Sequence, residues 1–329
     1  MDSGVRFGRN IKINFNGNNN KLYLDNNCKL ISGSITLSGS SNSVYLGSQF
    51  SIKGAVIDVQ GSSNLINFGD DCILNANTDV TFNGDDNTLN AISSIEFMPG
   101  SRIGFRKNNN YAFFGHETKI MPASKINFSG NNALLYVCGK CRLNLPAGLI
   151  TNVIFFYGFG SSIGSNLSFQ IREAKNIIIG SDCMFSLHIH LRNAAGHGIY
   201  DGATGKRIAK GQSLIIGDHV WLGWGVMVVK GLKIGCGSMI GGGSIVSRDI
   251  PEKCLAAGNP AKVIRENILW VRQEPYDSNG VMREEFDTYT EPTNKPTSIG
   301  WERLLEIDTI PSSTLAKEKA EIIHKILDD

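Results

Sequence analysis

Between Ile216 and Val246 an aliphatic residue returns every six positions, at Ile216, Leu222, Val228, Ile234, Ile240 and Val246, and four of these precede a glycine directly. An amphipathic helix would place apolar residues three and four apart, and a half-buried strand would alternate. A six-residue stride instead suits a solenoid of triangular section, in which each side is one short strand and each corner a turn: a parallel β-helix of the hexapeptide type. The aliphatic residue points into a narrow core, and glycine opens the corner where a Cβ would crowd the chain. Two residues earlier in each hexapeptide stand Val220, Val226, Leu232, Ser238 and Ser244, small enough to share that core.

A second repeat runs through the first half of the chain. The segments GNNNKLYL from Gly17, GSSNSVYL from Gly39, GSSNLINF from Gly61, GDDNTLNA from Gly84, KNNNYAFF from Lys107 and GNNALLYV from Gly130 are spaced by 22, 22, 23, 23 and 23 residues. Asn20, Asn42, Asn64, Asn87 and Asn110 recur at one position of it, where a turn needs a residue that tolerates left-handed geometry and where stacked amides can bond from coil to coil. Such coils are wider than three bare hexapeptides, so they carry extra corner residues or a different cross-section. Continuity with the later beat predicts one uninterrupted stack, all-β, with three parts. Residues 1–147 form Asn- and Gly-rich scaffold coils, 148–265 form the hexapeptide domain with an inserted loop at 192–212, and 266–329 form a partly helical extension. In that extension a short helix is expected over Glu266 to Arg272 and a longer one over Ser313 to Leu327, where Leu315, Ala320, Ile322, Ile323 and Ile326 fall near helical spacing.

Composition narrows the functional classes. The net charge of +2 with 19% charged residues gives no basic footprint for nucleic acid or an acidic membrane. No apolar run is long enough to cross a bilayer and the N-terminus lacks the apolar core of a secretory signal, so a cytoplasmic location is expected. Seven cysteines, an odd and scattered set, do not form a disulfide framework. Cys138-Gly-Lys-Cys141 lacks the second ligand pair that zinc requires, so no metal is expected and small buried thiols are the reading.

The segments IGDHVWLG (Ile216 to Gly223), KIGCGSMIGGGSIVSRDIP (Lys233 to Pro251) and AAGNPAKVIR (Ala256 to Arg265) closely resemble the hexapeptide-repeat acyltransferases, whose solenoid is a left-handed β-helix. Within that family they are most similar to O-acetyltransferases acting on sugars and bacterial surface polysaccharides of the capsule or O-antigen kind. The resemblance covers about residues 176 to 265. It implies acetyl-CoA as acyl donor, a carbohydrate acceptor and a homotrimer whose sites lie between subunits. Upstream, SDCMFSLHIHLRNAAGHGIYD (Ser181 to Asp201) resembles the family segment whose Gly-His pair supplies the catalytic base, which puts that role on His197.

The chemistry agrees with the choice of residue. A sugar hydroxyl is too weak an acid to attack a thioester unless a base removes its proton as the bond forms, and imidazole is suited to that near neutral pH. Relatives commonly carry Ser-Asp ahead of the Gly-His, where this chain has Ala194-Ala195. Asp201, four residues beyond His197, is therefore a candidate to orient the imidazole, with a backbone carbonyl as the alternative. His188 and His190 alternate with Leu187, Ile189 and Leu191, so on a strand both face away from the core. His190, His219 and Trp221 are candidates to contact the acceptor, the indole of Trp221 matching the apolar face of a sugar ring. By the family's pattern the coenzyme A contacts fall on Trp224, Gly242, Ser247, Arg248, Lys262 and Arg265, the cations being suited to its phosphates. Trp224 stands where relatives usually have a small residue. The same coils could serve an N-acetyltransferase for an amino sugar or nucleotide-linked sugar, or a structural or binding solenoid without activity.

Overall fold

The computed structural model describes residues 4–122, 124–146, 148–286, 288–291 and 297–328; prolines 292 and 296 of the extension lie outside these. The chain winds as a left-handed parallel β-solenoid of about 11 turns, followed by a short helical part. Strands pair in parallel register from coil to coil, giving three faces. The first face includes Met184–Phe185, Trp221–Leu222 and Met239–Ile240; the second includes Ser168–Gln170, His190–Arg192, Met227–Val228 and Ile245–Val246. The third runs through Thr88–Ala91, Tyr111–Phe114, Leu134–Val137, Ile154–Tyr157, Ile177–Ile179 and Leu214–Ile216.

The six-residue beat behaves as expected. Ile216, Leu222, Val228, Ile234, Ile240 and Val246 all have no exposed surface, and Val220, Val226, Leu232, Ser238 and Ser244 share their core. One hydrophobic column runs from Cys28 to Ala261 without interruption, so the wide coils and the hexapeptide coils form a single stack. The extra residues of a wide coil lengthen its sides. Ser124, Ile126 and Phe128, then Ala133, Leu135 and Val137, place three inward residues on a side where later coils place two, such as Val226 with Val228. The added room is filled by aromatic columns such as Phe82, Phe105 and Phe128, with centroids 4.2 and 4.4 Å apart.

The asparagine repeat divides its two expected roles between neighbouring residues. The left-handed corner positions are Asn19, Ser41, Ser63, Asp86 and Asn109, with φ from 56 to 58°. The asparagines that follow them form the ladder. Asn42, Asn64, Asn87 and Asn110 each donate from Nδ2 to the Oδ1 of the asparagine one coil earlier, at 3.0, 3.1, 3.2 and 3.1 Å. This ladder follows the corner between the second and third faces, and the same corner later opens into the 192–212 loop.

Cys28, Cys141 and Cys183 are buried, and their thiols donate to the carbonyls of Gly47, Gly158 and Gly217 at 3.2, 3.2 and 3.1 Å. Burial pushes the Cys141 thiol up to about 11, which suits an inert core residue. No cluster of metal-ligating side chains occurs among the described residues. No helix of the described residues is long and apolar enough to cross a membrane.

The extension differs from expectation in one element and adds another. Residues 266 to 273 form no helix; they cross the first face as an irregular strap held by its side chains. Helix α1 (Trp301–Thr309) was not foreseen, whereas α2 (Ala316–Asp328) matches the periodic segment. Both helices pack on the outside of the third face, where Leu304, Ile307, Ala320 and Ile323 meet Leu134, Tyr136, Phe156, Ile178 and Ile215. The strands LLYV, IFFY and III are buried on both sides, and such unbroken apolar runs mark strands covered on two faces.

Candidate active site

The second face supplies a floor with two walls. His190, Met227 and Ile245 are in register on successive coils and point outward, while Leu191, Val228 and Val246 fill the core. His190 is thus on an outward strand position as expected. His188 is not on the strand: it occupies the preceding corner in left-handed conformation, with φ 60°.

That corner, between the first and second faces, is one wall. Gly225 N–H donates to the Leu187 carbonyl at 3.0 Å and Gly243 N–H to the Trp224 carbonyl at 2.7 Å, so Leu187, Trp224 and Gly242 stack vertically. A Cβ at Gly242 would approach the Trp224 carbonyl oxygen to 3.1 Å, which explains glycine there. The Trp224 indole stands 61% exposed, edge-on to the His188 ring at 5.6 Å.

The inserted loop forms the other wall, at the corner between the second and third faces. Its root is fixed by Asn193, which is fully buried; its Oδ1 accepts from Arg172 N–H at 2.8 Å and its Nδ2 donates to the carbonyls of Arg172 and Lys175 at 3.0 and 3.2 Å. Its return is held by Glu173, which accepts from the Arg207 guanidinium and from Gly211 N–H at 2.9 Å. The hydrogen bond from Arg207 holds the Glu173 carboxyl below its ordinary pKa. Between these anchors Tyr200 and Arg207 pair in a short antiparallel hairpin. His197 lies just ahead of that hairpin, exposed, with no hydrogen bond among the described residues. Ala194, which takes the place of the usual polar residue, is buried at the loop root.

The Asp201 carboxylate serves its own turn. Its Oδ1 accepts from the Thr204 hydroxyl and N–H, both at 2.7 Å, and from Ala203 N–H at 3.1 Å, and no hydrogen bond joins it to His197. The Thr204 bonds hold that carboxyl below its ordinary pKa. A short polar side chain bonding forward to its own backbone is what a tight turn favours.

His219 and Trp221 stand apart from His190 and His197, on and beside the first face. His219 has both ring nitrogens engaged, Nδ1 with Asp182 at 2.6 Å and Nε2 with the Trp270 carbonyl at 3.0 Å. Trp221 is half-buried beside Trp270 at 5.8 Å, its Nε1 directed at Ser186 Oγ at 3.5 Å. Both are spoken for by the strap, which the local sequence around them does not announce. Glu173, Asn193 and the strap residues Trp270 and Arg272 are the parts of the arrangement that sequence reasoning missed, because their partners lie 18 to 112 residues away.

Four of the six candidate coenzyme A residues border the same floor, and the other two lie on a strand that extends the first face. Trp224 and Gly242 are on the first wall; Ser247 and Arg248 follow Ile245–Val246 at the corner that bears the His197 loop two coils earlier. Lys262 and Arg265 are on Ala261–Arg265, which turns back antiparallel on Leu255–Gly258 and places them opposite Ala257 and Leu255. Arg248, Lys262 and Arg265 are exposed and make no ion pair among the described residues, so their charges are available to a ligand.

No family model matches the chain. A polysialic acid O-acetyltransferase of Neisseria meningitidis is 33% identical over 192 residues, a match covering 58% of this chain and 88% of that protein. One from Escherichia coli O1:K1 / APEC is 37% identical over 117 residues, 36% of this chain and 38% of its length, so the match spans well under half of that relative. Among solved structures, a polySia-specific acetyltransferase has a TM-score of 0.49 at 33% identity, with 67% of this chain and 84% of that chain covered. Identity sustained over most of the Neisseria protein, on a solenoid with this repeat, places the chain in the hexapeptide-repeat acyltransferase family.

Proposed function

We propose that the protein is an acetyl-CoA-dependent O-acetyltransferase acting on a sugar hydroxyl of a glycan, of the capsule or O-antigen kind, with His197 as general base. The observation that carries the assignment of the base is the exposed, unbonded His197, presented on a loop pinned at root and return by Asn193 and Glu173. The two relatives whose names specify polysialic acid support a glycan acceptor.

In the proposed reaction His197 accepts the proton of the acceptor hydroxyl as its oxygen bonds to the thioester carbonyl carbon. The tetrahedral species collapses with cleavage of the C–S bond, and the imidazolium returns the proton to the departing thiolate. Acetyl passes directly to the sugar and no enzyme-bound acyl group is formed. The pantetheine arm lies along the corner at Trp224 and Gly242, and Arg248, Lys262 and Arg265 meet the phosphates. His190 lines the floor beside the acceptor. With Asp201 spent on its turn, a backbone carbonyl is left to orient the imidazole.

A homotrimer completes the site. Leu187, Ile199, Tyr200, Ile208 and Trp224, exposed by 42 to 64%, surround the second face, and a cluster of large apolar side chains in water marks a surface meant to be covered.

Thiol release from acetyl-CoA, measured against acidic and neutral glycans and an amino sugar, tests the reading. Transfer to a glycan hydroxyl that falls at least about 100-fold in His197→Ala is expected for loss of a general base. Exclusive N-acetylation, or transfer unaffected by His197→Ala, would overturn it, and absence of both acetyl-CoA binding and thiol release would leave a structural solenoid.

A further inference from the structure

The third face changes character along the stack. From Phe113 to Ile215 its outer surface is aliphatic and aromatic and is covered by α1 and α2. One turn of the solenoid earlier the cover ends, and the outward row becomes Tyr23, Tyr45, Asn67 and Asn90, in register on consecutive coils. The uncovered part is therefore not a remnant of the helix-binding surface, because its chemistry is amide and phenol where the covered part is hydrocarbon.

A groove of about 340 Å³ is set into this part. Asn67, Thr88 and Asn90 form its floor, Tyr45 stands at one end, and Tyr111 with Lys317 of α2 stands at the other. Tyr45 is held rigid: its ring lies on that of Tyr23 at 4.3 Å and 5°, while both remain about 40% exposed, at 39% and 42%. Asn67 Nδ2 donates to Asn90 Oδ1 at 2.9 Å and Asn90 also bonds to the Tyr111 side chain, which fixes both amides in the floor. Successive floor residues repeat at the strand spacing of about 4.8 Å, close to the length of one pyranose residue. Among the described residues Lys317 is the charged residue lining the groove, and Glu321, one turn further along α2, acts on Tyr111 from beside it.

We infer that this groove binds a carboxylated segment of the acceptor glycan, with a sugar ring against the free face of Tyr45, hydroxyls on Asn67 and Asn90, and a carboxylate at Lys317. The inference rests on the proposed activity for the identity of the glycan. From the Tyr111 coil to the coil that carries the His197 loop is four strand spacings, roughly 19 Å, and α1 and α2 cover the face between. The groove therefore holds a remote part of a long chain, and short acceptors gain nothing from it.

The test uses the full chain and fluorescently labelled carboxylated polysaccharides, polysialic acid, hyaluronan and alginate, with dextran as the neutral control. Binding is measured without acetyl-CoA, and thiol release is measured with the polymer and with its trisaccharide. The expected result is that Tyr45→Ala and Lys317→Gln each weaken binding of a carboxylated polymer by about 5-fold or more, and raise its KM, with kcat and the trisaccharide rate unchanged. His197→Ala should bind the polymer as wild type does. Equal binding of dextran, polymer affinity unaltered by both variants, binding of none of the polymers, or a change of oligomeric state in the variants would each overturn the inference. Loss of polymer binding in the variants of a protein that transfers no acetyl would instead sink the activity and leave the groove standing. Transfer with no preference for long chains would do the reverse.

Discussion

The indole of Trp270 lies flat on the imidazole of His219, with ring centroids 3.8 Å apart and planes 8° from parallel. The Trp270 Nε1–H also donates to the His219 carbonyl at 3.0 Å, so one residue of the strap is fixed to the solenoid by ring and backbone together. Asp182 completes the clamp, accepting from His219 and from the Arg272 guanidinium.

Acid should release this strap. Burial pushes the Asp182 carboxyl up, but the bond from His219 and the charge of Arg272 outweigh it and hold the pKa below its ordinary value. An acid with a lowered folded pKa contributes stability that is present above the unfolded value and is lost as pH falls through the folded one. Tryptophan fluorescence titrated downward from about pH 5 is therefore expected to report Trp270 becoming exposed below the ordinary Asp range. In Asp182→Asn the indole should already be loosened at neutral pH, and an identical titration in the variant would contradict the clamp.

Lys319 of α2 is fully buried without a carboxylate partner among the described residues, donating to the carbonyls of Asn132 and Ser312 at 3.1 Å each. Burial lowers its pKa from 10.5 to about 8. Between those values the unfolded chain binds the extra proton, so stability gained from docking α2 should rise with pH across that interval. Denaturation of wild type and Lys319→Met from pH 7 to 10 checks this: the difference between them should shift in favour of wild type as pH rises, and a constant difference would refute it.

Asn87 is fully buried and central in the amide ladder, donating to Asn64 and accepting from Asn110. Asn87→Ala strands polar atoms on two neighbouring coils, and each buried unsatisfied group costs on the order of 1–3 kcal/mol. Chemical denaturation should show a loss of that size or more, with transfer by the distant site unchanged under native conditions.

Glu173 touches no expected substrate and acts through the loop it holds. Displacing a catalytic group by about 1 Å can cost on the order of 100-fold, so Glu173→Ala is expected to lower kcat ten- to a hundredfold with little change in KM for acetyl-CoA. Glu173→Gln retains an acceptor for Gly211 N–H and should recover part of the loss. A melting temperature near wild type separates this positioning role from general instability.

The face-covering helices show how much the chain announces of itself. Inward positions are legible because periodicity depends on local geometry: a residue six positions on returns to the same point of the triangle, so Ile216 through Val246 specify the coil by spacing alone. The apolar runs LLYV, IFFY and III carried the further message that something covers them, and the amphipathic segment ending in α2 supplied part of the cover. The strap has no such period, so the helix expected over Glu266 to Arg272 does not form there.

His197 was reached from a motif, and its exposure on a loop could be anticipated from the break in the beat. What orients and holds that loop could not, because Glu173 and Asn193 act through contacts between successive coils that no local pattern encodes. Trp221 and His219 illustrate the converse: Trp221 points outward as its strand position requires and His219 stands at the left-handed corner before it, but a segment about 50 residues later covers them. The sequence alone determined the solenoid, its inward residues and the place where its regularity yields. Tertiary structure alone decided which outward side chains stay free for chemistry, because an outward direction is set by local geometry and its occupancy by whatever distant segment packs there.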